Sequence, residues 1–299
     1  MGRLALLVAL AFVAGCTGSD APRNGQIVAS FGDGLQLVDL DAGTWRAIPG
    51  TLGGLEPTVS RDGRRIAFTR SRVERSESWE AIVSDLFVVR PGAAEARLVL
   101  RNASGPSWSP DAEQIAFMRD VCGARACLNV DNPYELFVVE VESGDERRLT
   151  GNERYEGDPA WSPDGDWIAF SSDEGLSIIR PDGRDRRTLT TKWNHSSPSW
   201  SPDGKQIAFS DYFDVYVIPV DGGQPRRLTD NRGPDFHPAW SSDGTEIAYL
   251  SNHVCAGRNG CTAHEPVHIR IMNADGSESH ALTENGWGGP SWGPERGGA

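Results

Sequence analysis

The sequence contains no apolar run long enough to cross a bilayer: its best candidate, Leu4 to Val13, has about ten residues where a crossing helix needs roughly 20. Basic residues are in the minority, because 29 Lys and Arg face 42 Asp and Glu, for a formal net charge of −13. Neither an EF-hand loop nor a Cys-x2-Cys pair occurs. These absences disfavour a membrane-spanning protein and a nucleic-acid binder, and they remove two common metal-binding signatures.

What the sequence does contain is a repeat, a variant of Pro-x-Trp-Ser-Pro-Asp-Gly that is followed in most copies by Ile-Ala-Phe or Ile-Ala-Tyr. The copies begin at Pro57, Pro106, Pro159, Pro198, Pro238 and Pro290. A repeat of about 40 residues with several short apolar runs in each unit is typical of a four-stranded propeller blade rather than of a helical solenoid. The tryptophans recur at one position, which predicts that they pack between blades.

Each unit predicts four strands in the same order. Ser-Pro-Asp-Gly forms a turn after the first strand, Ile-Ala-Phe begins the second, and an apolar run such as Glu135 to Val139 forms the third. Those third strands are rich in β-branched residues, as expected of strands covered on both faces. Paired arginines near Leu-Thr in the outer strand discourage edge-to-edge pairing with other chains.

The last copy of the repeat, at Gly289 to Pro294, has no strands after it, whereas Gln26 to Ile48 contains three strands without a first one. We therefore predict an all-β fold, a six-bladed β-propeller of four-stranded blades, closed by N-terminal strands pairing with the C-terminal strand. The repeat resembles the WD40-like PD40 repeat of TolB-type propellers over residues 25 to 294. That resemblance implies the fold and is not specific for function.

The first residues resemble an export signal. Arg3 precedes the apolar stretch, and Val13-Ala14-Gly15-Cys16 resembles the bacterial lipobox, in which the cysteine is diacylated after cleavage. We predict a signal peptide at 1–15, a lipidated tether at 16–24 attached through Cys16, the propeller at 25–294 and a tail at 295–299. An ordinary secretory signal with an incidental cysteine is the alternative. The lipid reading predicts an exported lipoprotein on the cell or outer membrane, facing an extracytoplasmic compartment.

The remaining cysteines form two close pairs, Cys122 with Cys127 and Cys255 with Cys261. Each pair lies within one long insertion between the second and third strands of a blade. In an oxidising compartment such pairs are interpreted as local disulfides that order a loop. Metal ligation is the alternative, although the two pairs belong to different blades.

In a propeller, the loops between strands two and three share a face with those that join one blade to the next, and this loop face is where we expect binding. Insertions at 70–84, 119–134 and 251–267 are expected to form long loops on one side of that face. The blades on the other side have short hairpins, so a cleft is expected beside them. Candidate ligand-binding residues near the mouth of the channel are Tyr155, Glu156, Asp158, Trp193, His195, Asp235, Phe236 and His237. Taken singly, each also fits a structural role in loop or inter-blade packing.

The function predicted from these features is a binding scaffold for a protein, a peptide or a small ligand, with no catalytic residue and no cofactor assigned. The chain is expected to be a monomer. The alternative is a metal-dependent propeller enzyme of the lactonase or lyase type, with calcium or another metal in the channel. Its ligands would come from Asp158, His195, Asp235 and His237. A literal Gly-x-Ser-x-Gly at Gly289 is part of the repeat, so it predicts no nucleophile elbow.

Overall fold

The computed structural model describes residues 10–12, 26–31, 34–39, 44–75, 80–121, 134–151, 154–191, 195–231, 233–252 and 268–282. In these ranges all regular elements are β-strands, which form six antiparallel sheets of four strands each. No helix in the described ranges combines the length and hydropathy of a membrane-spanning segment. The prediction of an all-β, six-bladed propeller is confirmed.

The blades follow one another along the chain. Blade 1 contains β1 (Leu10–Phe12), β2 (Gln26–Phe31), β3 (Gly34–Asp39) and β4 (Thr44–Ala47). Blade 2 contains β5 (Gly54–Val59), β6 (Ile66–Arg75), β7 (Glu80–Val89) and β8 (Arg97–Leu100). Blade 3 contains β9 (Ser104–Trp108), β10 (Gln114–Asp120), β11 (Tyr134–Glu140) and β12 (Glu146–Arg148).

The second half repeats the pattern. Blade 4 contains β13 (Glu156–Trp161), β14 (Ile168–Ser172), β15 (Gly175–Ile179) and β16 (Arg187–Thr188). Blade 5 contains β17 (His195–Trp200), β18 (Gln206–Asp211), β19 (Asp214–Pro219) and β20 (Arg226–Arg227). Blade 6 contains β21 (Asp235–Trp240), β22 (Glu246–Ser251), β23 (His268–Asn273) and β24 (His280–Ala281).

The strand that completes blade 1 differs from the prediction. β1, from the predicted signal peptide, pairs antiparallel with β2 and contacts both β5 and β21, so it occupies the inner position assigned to Gly289 to Pro294. Residues 283–299 lie outside the described part of the chain. The physical reason is that the free edge of β2 offers backbone hydrogen bonds to any short extended segment.

The core consists of six layers, each between two neighbouring blades. The layer between blades 4 and 5, for example, contains Ile178, Trp200 and Phe209. The layer between blades 6 and 1 contains Ile27 and Ile271, so the ring closes through side-chain packing as well as through β1. The aromatic residues of Ile-Ala-Phe/Tyr are at most 1% exposed in every blade that carries the motif: Phe68, Phe117, Phe170, Phe209 and Tyr249.

The repeat tryptophans are less uniform than their shared position predicts. Trp108, Trp200 and Trp240 are buried, and the indole Nε1 of Trp200 donates to Ala160 O in the preceding blade at 2.9 Å. Trp161 is only partly buried, and its Nε1 donates to Gly165 O of its own turn at 3.2 Å. Among the six described layers, the Ile-Ala-Phe/Tyr aromatics therefore pack in five, all but the layer between blades 6 and 1, whereas the repeat tryptophans are buried in only three.

In two turns of the repeat, hydrogen bonds lower the pKa of the aspartate. Asp203 Oδ1 accepts hydrogen bonds from Ser201 Oγ at 2.7 Å and from Lys205 N at 3.1 Å, and these hydrogen bonds lower the pKa of Asp203. In blade 6 the pKa of Asp243 is lowered by hydrogen bonds from Thr245 N and Ser241 Oγ. A carboxylate that is better stabilised in the folded than in the unfolded chain adds stability above its unfolded pKa, about 3.9, and this stability is lost as the pH falls through the folded pKa.

We therefore expect the double variant Asp203→Asn, Asp243→Asn to have a lower melting temperature than the parent at neutral pH. This gap in melting temperature should narrow as the pH falls from about 5 to about 3. Melting curves across that range, with Asp221→Asn on an exposed turn as control, measure the gap. A gap that widens towards acid pH would contradict the assignment.

Candidate functional site

One residue in each of the inner strands β5, β9, β13, β17 and β21 adopts a left-handed backbone conformation directly before the repeat proline. These five residues, here called the bulge ring, are Glu56 (φ 49°), Gly105 (58°), Asp158 (49°), Ser197 (54°) and His237 (52°). Only glycine adopts this conformation readily, and a strained residue costs about 1–3 kcal/mol, so such residues persist where the fold enforces them and often lie at functional sites. Four of the five are polar or charged.

A β-bulge explains the conformation. In blade 4, Gly157 pairs with Ser171 and Ala160 pairs with Ala169. Asp158 and Pro159 on the inner strand therefore oppose a single residue, Phe170, on the second strand. The same register shift occurs in the other four blades that carry the full repeat. The bulge thus lies opposite the buried aromatic residue of Ile-Ala-Phe/Tyr.

The bulge ring lines a cavity of about 440 Å³ on the propeller axis, here called the central channel. Its walls are the inner strands β5, β9, β13, β17 and β21, and it continues past the repeat tryptophans to the Ser-Pro-Asp-Gly turns. This volume is within the range of small-molecule sites, and a few convergent polar groups on otherwise apolar walls are typical of such sites.

Glu56 joins the first two members of the ring. Its Oε2 accepts a hydrogen bond from Gly105 N at 2.9 Å and from Thr69 Oγ1 at 3.0 Å. Burial raises the pKa of Glu56, and the negative charge of Asp158 raises it further, while the two hydrogen bonds lower it. The carboxyl group is therefore held in a fixed orientation at the channel wall.

The other polar members are linked in a chain across blades 4, 5 and 6. Asp158 Oδ2 accepts hydrogen bonds from Ser197 N at 3.2 Å and from Ser171 Oγ at 3.3 Å. Ser197 Oγ is 2.9 Å from His237 Nδ1. Burial lowers the pKa of His237, and Asp158 opposes that shift, so the imidazole is neutral at pH 7.

Two tyrosines lie close to the bulge ring, on the loop face. The Tyr155 ring meets the Tyr134 ring edge-on, with centroids 6.2 Å apart. Tyr155 also covers Gly157 so closely that a Cβ at that position would lie 2.5 Å from its hydroxyl oxygen. Burial, together with the charge of Asp158, raises the pKa of Tyr155 far above its ordinary value. The phenol therefore stays protonated and can donate a hydrogen bond.

Three other predicted residues pack into the body of the protein. Glu156 is fully buried and pairs with Arg186. Asp235 is also fully buried, accepts a hydrogen bond from Asn231 Nδ2 at 2.6 Å, and has a pKa raised by burial. Phe236 packs against the layer between blades 6 and 1 and meets the His237 ring edge-on at 5.6 Å.

The structure therefore brings Asp158 and His237 together in the channel, with Tyr155 beside them. The backbone of His195 begins β17 opposite Asp211. Trp193, Cys16 and the four cysteines of the two predicted disulfides, Cys122, Cys127, Cys255 and Cys261, lie outside the described residues. The described ranges contain no group of three or more His, Cys, Asp or Glu side chains arranged to hold a metal ion.

Of the three predicted insertions, the one at 70–84 is described in most of its length as a protruding hairpin. β6 and β7 pair over ten residues, whereas β5 pairs with β6 only up to Arg70. Beyond that point Val73 and Ile82 face each other across the ladder and are 48% and 58% exposed. Leu52 and Tyr212 are exposed on the same loop face, which therefore presents separate apolar side chains around the channel mouth.

One further motif occurs in the sequence directly before β23. Residues 264 to 268 spell His-Glu-Pro-Val-His, a literal His-Glu-x-x-His. That pattern binds zinc when a helix brings both histidines to one face. Here His268 begins strand β23, and residues 264–267 lie outside the described part of the chain, so the described structure gives the match no helical context.

Glu56 and Ser197 were not predicted from the sequence. The signal that identifies them is their position, since each directly precedes a repeat proline, as Asp158 and His237 do. Glu56 precedes the most divergent copy of the repeat, with Val59 in place of tryptophan and Arg61 in place of proline. Arg61 Nη1 donates to Pro163 O at 2.9 Å, which joins the turns of blades 2 and 4.

No protein-family model matches the chain. The chain is 29% identical over 128 residues to the uncharacterized peptidase YuxL of Bacillus subtilis, a match that covers 41% of this chain and 18% of that protein. It is also 29% identical over 121 residues to an uncharacterized protein of Agrobacterium fabrum, covering 38% of each. The chain thus spans less than two fifths of the length of either relative.

Among solved structures, the chain is similar to TolB from Acinetobacter baumannii, with a TM-score of 0.63 at 18% identity over 93% of this chain and 64% of that one. It is similar to an oligogalacturonate lyase from Vibrio parahaemolyticus, with a TM-score of 0.56 at 14% identity over 90% and 76% of the two chains. It is also similar to a puromycin-hydrolyzing peptidase from Mycobacterium tuberculosis, with a TM-score of 0.56 at 13% identity over 89% of this chain and 44% of that one. At these identities the likeness shows the fold alone, a TolB-like six-bladed propeller that serves different activities.

Proposed function

We propose that this chain is an extracytoplasmic binding module that holds a peptide segment or a small ligand in its central channel. The observation that carries the proposal is the bulge ring, in which strained polar residues from four blades line one cavity of about 440 Å³. Strained backbone often accompanies functional sites, so its presence on a concave polar wall supports a binding role for the channel.

The loop face supports a peptide as the occupant. Leu52, Val73, Ile82 and Tyr212 are exposed there, and apolar anchors around a polar cavity suit a chain segment that inserts one end and lays the rest across the rim. The lipobox-like sequence at Cys16 supports a lipid tether that would hold the domain at a membrane surface. Cleavage there would remove Leu10–Phe12 and leave the inner edge of blade 1 to another segment of the chain.

The test is a selection of random phage-displayed peptides on the immobilised protein. We expect enriched peptides to lose about tenfold or more in affinity, at least about 1.4 kcal/mol, when the channel carries Glu56→Gln, Asp158→Asn and His237→Gln together. These changes keep side-chain size while removing charge and the imidazole, so the loss reports on recognition in the channel. Isothermal titration with the synthetic peptides measures it.

A matched control carries the same chemical changes on the exposed outer rim, as Glu142→Gln, Asp182→Asn and His280→Gln. Both triple variants are compared at equal melting temperature. Peptides that bind both triple variants as tightly as the parent would contradict a channel site, and so would the absence of any enriched peptide.

A further inference from the structure

One serine in the channel is placed next to a base. Ser197 Oγ lies 2.9 Å from His237 Nδ1, and both residues line the cavity. Within the described bulge ring this is the one contact between a hydroxyl and an imidazole. Such a distance is typical of a nucleophile and its general base.

The surroundings keep the imidazole in its basic form. Burial lowers the pKa of His237, so at neutral pH the ring is uncharged, and with its proton on Nε2 it accepts the Ser197 hydroxyl proton at Nδ1. Asp158 holds the serine through Ser197 N at 3.2 Å, and its negative charge favours the imidazolium that forms when the proton is transferred.

Other serines that line the channel have different partners. Ser107 Oγ and Ser199 Oγ accept hydrogen bonds from Trp161 N and Trp240 N at 2.9 and 3.2 Å. The serines of the repeat turns donate to aspartates, as Ser201 does to Asp203. An aspartate with a lowered pKa is a weaker base than a neutral imidazole, so the structure singles out Ser197.

We propose that Ser197 is a reactive nucleophile, with His237 as its general base, which accepts an acyl or phosphonyl group from an activated small ester in the channel. With a fluorophosphonate, Ser197 Oγ forms a bond to phosphorus, the P–F bond breaks, fluoride leaves, and the hydroxyl proton moves to His237 Nδ1 and then to solvent. This activity goes beyond ligand binding and does not depend on it, since the reagent itself enters the cavity.

The experiment treats the folded, full-length protein with a fluorophosphonate probe and maps the modified residue by mass spectrometry. We expect stoichiometric modification at Ser197, and none in Ser197→Gly. Glycine accepts a φ of 54° without strain, so this variant keeps the fold while it lacks the hydroxyl. Ser143→Ala, which removes an exposed hydroxyl at a surface turn, should react at the parent rate.

The role of the base is tested by His237→Gln, which fills similar space and cannot take up the proton. We expect its modification rate to fall by about 100-fold or more, the size of a general-base contribution, with a melting temperature close to the parent. Modification of folded Ser197→Gly at the parent rate, an unchanged rate in His237→Gln, or an unreactive parent protein would each overturn the proposal.

Discussion

Replacing Phe170 by alanine is expected to lower the free energy of unfolding by about 3–5 kcal/mol, the range for truncating a fully buried phenylalanine. Its side chain is 0% exposed in the layer between blades 3 and 4, among Leu136, Val138 and Ile168. Phe170 also lies opposite the bulge that positions Asp158. A cavity there cannot be refilled easily, because rigid strands of two blades surround it.

Urea denaturation followed by circular dichroism measures this loss as a shift of the midpoint at constant slope. Trp161→Ala is the matched comparison, since it truncates an aromatic residue of the same blade that is only partly buried. We expect it to cost less than Phe170→Ala. The reverse order would mean that the tryptophan, and not the Ile-Ala-Phe aromatic, holds blades 3 and 4 together.

Arg186→Met is expected to cost about 3–5 kcal/mol, because it leaves the buried carboxylate of Glu156 without its counter-ion. Glu156 is 0% exposed while the Arg186 side chain is 27% exposed, and the two form an ion pair. The guanidinium also lies 5.1 Å from the centre of the Phe170 ring. Removing the arginine thus affects both a charge and an aromatic contact in the interior of blade 4.

A double-mutant cycle separates the charge from the packing. We expect Glu156→Gln combined with Arg186→Met to recover most of the lost stability, because the uncompensated charge is then absent. Arg187→Met is the control: it removes the neighbouring, exposed arginine over the Trp167 ring and should cost about 0.5–1 kcal/mol. Equal losses of unfolding free energy for Arg186→Met and Arg187→Met would show that Arg186 does not stabilise the buried Glu156.

The fold was predictable from the sequence because a blade is a local object. Each Pro-x-Trp-Ser-Pro-Asp-Gly turn and each Ile-Ala-Phe run specifies a turn and a strand within a few residues, and repetition excludes a chance match. The closing strand was not predictable in the same way. β2 offers an open edge, and which segment fills it depends on which segments reach that edge, as Leu10–Phe12 does in this structure.

The candidate site was predictable only in part, and Glu156 and Asp158 show why. In a regular strand, residues two apart point to the same side, so the sequence places both acids in one group of ligands. The bulge at Asp158 and Pro159 breaks that alternation. Glu156 therefore lies in the interior with Arg186, while Asp158 lines the channel. Asp235 and His237 are separated by the equivalent bulge in blade 6.

By itself, the sequence determined the number of blades, the order of strands and the aromatic residues of the core, since these follow from short-range periodicity and the burial of apolar side chains. Only the tertiary structure decided which polar residues meet. Glu56, Asp158, Ser197 and His237 come from four blades and converge because the ring brings the inner strands to one axis. The left-handed bulge, a consequence of pairing two residues against one, then turns them into the channel.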